Sequence, residues 1–126
     1  MIKFYKCSVC GNVIVKVVDS TITPYCCGKE MIELSANSTD GATESHLPSL
    51  LRMDYCTLKV CVGKKPHPAT IEHHICFICL ETSRGFEMRR LLPNGIPEAF
   101  FLISDDVIAV YSYCNIHGLW CFSIDA

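Results

Sequence analysis

The sequence predicts an all-β chain, with a small metal-knotted N-terminal β module followed by an antiparallel sandwich of immunoglobulin-like type. Three observations carry this. Beyond residue 46, short β-branched and aromatic runs recur between the breakers Gly85, Pro93-Asn94-Gly95 and Asp105-Asp106, the spacing of sandwich strands. Thr57–Val62 alternates, with Leu58, Val60 and Val62 on one face and Thr57, Lys59 and Cys61 on the other. That is a strand's period of two, and no segment shows a helix's period convincingly. The leading segment carries Cys7, Cys10, Cys26 and Cys27 in a stretch too small to build a core of its own.

Taken in order, the β-branched run at 13–18 reads as a strand between the two cysteine pairs. Gly11 and Gly28 each follow a cysteine, where a turn of positive φ brings backbone amides close to sulfur. Residues 35–45 (SANSTDGATES) are small, polar and aperiodic, so they read as a linker. This divides the chain into a module at 1–36 and a domain at 37–126. The domain's strands are expected at 57–62, 71–81, 86–91, 99–104, 107–113 and 119–124. The run at 71–81 is apolar enough to be buried on both faces.

Composition excludes several classes. At 126 residues, 50% hydrophobic and 19% charged, the chain can bury a core and is not disordered. A net charge of −2 with no basic block argues against nucleic acid and anionic membrane surfaces. No apolar run reaches the roughly 18 residues of a membrane span. Ten cysteines in an oxidising compartment would suggest disulfides. Residues 1–6, however, lead straight into Cys7-x-x-Cys10 without an apolar leader, so a reducing cytoplasm and metal binding are expected.

Four thiolates from Cys7, Cys10, Cys26 and Cys27 suit a tetrahedral zinc or iron ion, and spacing alone does not choose between them. The adjacent pair Cys26-Cys27 should distort the tetrahedron, because neighbouring side chains do not readily point the same way. A second constellation surrounds Tyr113-Cys114-Asn115-Ile116-His117-Gly118-Leu119-Trp120. Cys114 and His117 lie three apart, and His46, His67 and His73 stand upstream where they can converge on them. A metal held by four imidazoles and one thiolate keeps one coordination position open, as a redox or hydrolytic enzyme requires. The prolines around His67 in Lys65-Pro66-His67-Pro68 set it on a stiff loop. His74, next to His73, is expected on the opposite face as a structural residue. Cys76 and Cys79, three apart in a strand, cannot share an ion. With Cys56, Cys61 and Cys121 they read as small apolar residues or inert thiols.

Together these motifs resemble a known family. FYKCSVCGNVIVKV with YCCGKEM is similar to the desulforedoxin-type module. ESHLP, KVCVGKKPHPATIEHHI, LPNGIPEAFF and AVYSYCNIHGLW are similar to the neelaredoxin-type domain. In this order they resemble the desulfoferrodoxin family of two-iron superoxide reductases over nearly the whole chain. The resemblance implies a reactive iron bound by His46, His67, His73 and His117 in a plane, with Cys114 axial and one position open. It implies a second iron on Cys7, Cys10, Cys26 and Cys27. Glu44 matches the family's glutamate that closes onto the oxidised iron. The resemblance further implies a homodimer reduced by a rubredoxin-like donor, with superoxide as substrate and hydrogen peroxide as product. Two positions depart from the pattern: Ser45 stands where the family has lysine, and Ala69 where it commonly has methionine. Lys64 and Lys65 are expected to restore a local positive field beside His67. Two other classes compete: an iron protein that only carries electrons, and a zinc-stabilised β-sandwich used for interaction.

Overall fold

The computed structural model describes residues 2–38, 46–63, 67–103 and 106–124. They fall into two compact units, Met1–Ser35 and Ala36–Ala126. The elements among the described residues are all strands, and no helix there is long and apolar enough to cross a membrane.

In the first unit β1 (Phe4–Lys6) lies between β2 (Val13–Val15) and β5 (Ile32–Glu33), antiparallel to both. A hairpin joins β3 (Tyr25–Cys26) to β4 (Lys29–Glu30). Its two-residue turn is Cys27-Gly28, with φ of 53° and 72°. Two consecutive positive φ values make the primed turn whose twist suits a tight hairpin. The buried cluster is small: Tyr5, Cys7 and Met31, with Ile14 and Cys26 against it. The strand expected at 13–18 stops at Val15, and Val17 and Val18 are exposed. Lys16 ends it by turning its ammonium onto Asp19 and the carbonyls of Ser20 and Ile22, at 3.1, 2.7 and 2.7 Å.

The second unit is the antiparallel sandwich that the strand spacing predicts. One sheet has the order β10 (Glu98–Leu102), β7 (Thr57–Val62), β6 (Pro48–Arg52). The other runs β12 (Gly118–Ser123), β11 (Val107–Cys114), β8 (Ile75–Thr82), β9 (Gly85–Arg90). Leu58, Val60, Val62, Ala99 and Phe101 of the first sheet meet Ile78, Leu80 and Val110 of the second in one core, with Ile75 and Cys114 at its end. The alternation of Thr57–Val62 is realised: its even positions are buried and its odd ones half-exposed.

Three boundaries differ from expectation, each for a local reason. The apolar run at 71–81 becomes a strand only from Ile75, because Thr70 and His73 close a turn with amide–carbonyl bonds of 3.0 and 3.2 Å. Its burial on both faces holds, with Phe77, Ile78, Cys79 and Leu80 all buried. Strand β6 gives no signal in the sequence. It opens on Pro48 at the edge of its sheet, where a missing amide costs no ladder bond. The start of the expected linker is tied down: Asn37 donates its amide to Leu119 (2.9 Å) and exchanges side-chain bonds with Cys121 (3.1 and 2.9 Å).

Candidate metal centres

The first centre forms where two turns of the small unit meet. Cys7 directly follows β1, and the amides of Val9 and Cys10 fold back to donate to its sulfur, each at 3.4 Å. Gly11, at φ 80°, completes that turn by donating its amide to the Cys7 carbonyl at 3.0 Å. The positive φ of Cys27 answers the difficulty of the adjacent pair, because it swings this side chain round to the side of Cys26. The sulfurs of Cys10 and Cys26 then lie 3.6 Å apart, and those of Cys26 and Cys27 4.0 Å. All four sulfurs are within 4.8 Å of one another. The amide donors bring the Cys7 thiol down to about 6, while the neighbouring sulfur of Cys10 pushes Cys26 up to about 12. A cluster that lets one thiol ionise easily and resists the next needs a cation to hold four thiolates.

The second centre gathers at one end of the sandwich. Cys114 is the last residue of β11, fully buried, and paired with Gly118 across the β11–β12 hairpin. A register shift between Tyr113 and Cys114 against β8 re-aims the side chain at the strand end. His117, in the hairpin turn, brings Nδ1 to 3.7 Å from the Cys114 sulfur and 2.9 Å from Nε2 of His46. The ligand atoms of His46, His73, Cys114 and His117 lie within 4.8 Å of one another. His67 stands outside that tightest group, but its ring centroid is 4.7 Å from those of both His46 and His73. Glu44 and Ser45, with Lys64 and Lys65, lie outside the described residues.

These residues fit a metal ion, and the buried nitrogens say why. His67 donates Nδ1–H to its neighbour's carbonyl, Pro68, at 2.8 Å, which fixes the tautomer and leaves the lone pair on Nε2. That Nε2 and the Nε2 of His73 are both buried without a hydrogen-bond partner. An unpartnered buried nitrogen costs about 1–3 kcal/mol, and a coordinated ion would satisfy both. Burial holds His67 and His73 below the ordinary imidazole value of 6.5, the His117 and His46 rings adding to the effect on His73. Neutral rings are the ligating form. The sign of the pH dependence follows. In the metal-free sandwich, the stability owed to these neutral rings is fully present above about 6.5 and is lost as pH falls through their lowered values, because unfolded imidazoles bind protons that the folded ones refuse. Urea unfolding of the metal-free chain between about pH 7 and pH 5 should show this fall.

The candidate ligands are held by groups that carry no ligand signature. Ser112, fully buried on β11, donates to the His46 carbonyl at 3.0 Å. The Trp120 ring stacks on His46 at 5.0 Å and 18°, and its indole N–H donates to the His117 carbonyl at 3.2 Å. The His67 loop is held at Ala69, whose carbonyl accepts the amide of Asn94. Of the residues set aside, Cys79 is fully buried and Cys76 half-buried, its sulfur 3.7 Å from Nε2 of His74.

Comparison with known proteins agrees with this geometry. The family model described as Desulfoferrodoxin matches residues 38–123. A desulfoferrodoxin of Desulfarculus baarsii is 39% identical over 120 residues, spanning 94% of each chain. A superoxide reductase of Pyrococcus horikoshii is 33% identical over 108 residues, or 71% of this chain and 94% of its own. The crystal structure of the superoxide reductase from Treponema pallidum superposes with a TM-score of 0.81 at 27% identity, covering 98% of this chain and 99% of that one.

Proposed function

The chain belongs to the desulfoferrodoxin family, and from that premise and its two ligand groups we infer that it is a superoxide reductase. Its cofactor is iron, at a four-cysteine site and at a four-histidine, one-cysteine site. Iron held at the second site would supply the one electron that, with two protons, turns superoxide into hydrogen peroxide, and an outside donor would return that electron.

The chain's own residues divide the remaining work. His46, His67, His73 and His117 are assigned as the imidazole ligands and Cys114 as the thiolate; Cys7, Cys10, Cys26 and Cys27 bind the other ion. The unpartnered buried nitrogens of His67 and His73, with His73 grouped around the buried Cys114 sulfur, are the observation that carries this reading. A thiolate shielded from water raises electron density on the metal it binds. Trp120 on His46, with His46 and His67 each only 3% exposed, keeps one side dry. The half-exposed rings of His73 and His117 mark the side that a small anion can reach. Glu44 is assigned as the carboxylate that closes the site after turnover. The module occupies 1–36 and the reductase domain 37–126. The reading calls for a rubredoxin-like donor, a homodimer and a cytoplasmic setting.

Ser45 gives this chain a distinctive expectation. Without a lysine beside His46, and at net charge −2, the encounter with superoxide gains little from attraction. Ser45→Lys should raise the second-order rate about tenfold at low salt, and added salt should remove the gain. Rate against ionic strength for both proteins measures it.

The function itself is tested by mixing ferrous protein with superoxide. One hydrogen peroxide per superoxide, no evolved dioxygen, and turnover only with added reductant are expected. Dioxygen release would make it a dismutase, inertness toward superoxide a plain electron carrier, and a colourless, iron-free protein a zinc-stabilised module.

A further inference from the structure

The backbone on both sides of His73 is bonded to the side chain of Asn115, a residue outside both donor groups. Cys114 pairs with Ile75 in the last rung between β11 and β8, and beyond it the chain of β8 leads back into the turn that carries His73. There the next residue, Asn115, takes over the pairing with its side chain. Its amide N–H donates to the His74 carbonyl at 3.2 Å. Its Oδ1 accepts the His74 amide at 2.9 Å, and its Nδ2 donates to the Glu72 carbonyl at 2.9 Å. The side-chain amide thus acts as an extra peptide group, gripping the backbone on both sides of His73. Thr70 restrains the same residue from within the turn, its hydroxyl accepting the His73 amide at 3.1 Å.

The coupling has a direction. Asn115 follows Cys114 and precedes His117 by two, so one short turn carries the sulfur, a histidine and the clamp on a second histidine. Thr70 can shape the 70–73 turn, but it cannot fix that turn relative to β11. Asn115 can, because its partners lie 41 and 43 residues away in the chain.

We propose that Asn115 is a positioning residue of the second centre, setting the distance between His73 and the Cys114 sulfur. The proposal rests on the assignment of His73 and Cys114 as ligands. Removing the clamp frees the His73 turn without changing any ligand residue. Partners of this kind are worth about 10- to 100-fold in metal affinity.

The test uses the full chain, freed of metal, with one equivalent of zinc added to fill the four-cysteine site silently. Cobalt(II) is then titrated against a competing chelator. Wild type should bind one cobalt with a sulfur-to-cobalt charge-transfer band, and absence of that band would remove the ligand assignment rather than this proposal. Asn115→Ala should bind about 10- to 100-fold more weakly, with more intense visible bands as His73 leaves and coordination number falls. Asn115→Asp keeps the bond from the His74 amide but sets an oxygen against the Glu72 carbonyl. It should shift the spectrum the same way by less, and it decides the matter if the alanine variant does not fold. Its added charge would by itself tighten a cation, so weaker binding cannot come from charge. A folded Asn115→Ala that matches wild type in affinity and spectrum, or an Asn115→Asp spectrum identical to wild type, overturns the proposal.

Discussion

Cys114→Ser is expected to abolish the visible thiolate-to-iron absorption of the second centre, leaving the bands of the four-cysteine iron in place, and to lower superoxide reduction by about 100-fold or more. The estimate follows from the 10- to 100-fold typical of residues one step further out, which a direct ligand should equal or exceed. Serine preserves the size of the side chain at a position with no water contact, so the end of β11 should keep its packing. What serine cannot preserve is a soft, ionised donor: a hydroxyl does not deprotonate near neutrality, and the push of charge toward the oxidant is lost. The control is Cys79→Ser, an equally buried thiol on β8 that belongs to neither ligand group. That variant should lose about 1–3 kcal/mol of stability from the unpaired hydroxyl and keep both colour and rate. Absorption spectra and stopped-flow rates on the iron-loaded proteins separate the two. Full activity in Cys114→Ser would remove the thiolate from the mechanism.

The two donor clusters were readable in the sequence because their chemistry is local: cysteines and histidines in short motifs, next to prolines and glycines that fix loops. The framework that aims them was not, because it is built from ordinary residues meeting across long separations. Ser112 holding His46 and Asn115 holding the His73 turn span 66 and about 40 residues, and nothing in either neighbourhood marks them. The edge strand at Pro48 was hidden for a related reason, since its place at a sheet edge depends on pairing with β7. Residues 71–74 looked like strand because their neighbours are apolar, yet the Thr70–His73 turn overrides that pattern. The strained appearance of Cys26-Cys27 had a backbone solution, the positive φ of Cys27, which side-chain spacing does not reveal. Sequence therefore locates the donors, while tertiary hydrogen bonds decide how exactly they converge.

Metal removal should unfold the N-terminal unit and leave the sandwich intact. The unit's buried cluster is Tyr5, Cys7 and Met31, so one of its three members is itself one of the four clustered thiols. Val9, Val17, Val18, Ile22, Tyr25 and Ile32 are exposed. A segment shorter than about 40 residues buries too little apolar surface to fold without disulfides, a metal or a partner. A structural ion in a small thiolate knot is worth about 10–16 kcal/mol at neutral pH. The ion therefore decides whether the unit folds. The strands of the sandwich close a continuous apolar core from both sheets and need no such help. Hydrogen exchange after chelation, or in Cys10→Ser, should show loss of protection in Phe4–Lys6 and Val13–Val15, with Thr57–Val62 and Val107–Cys114 still protected. Protection persisting in Phe4–Lys6 would mean that the apolar cluster suffices, and that the four thiolates hold their iron for electron transfer alone. Loss of protection there would make this ion a structural element first, whatever electrons it passes.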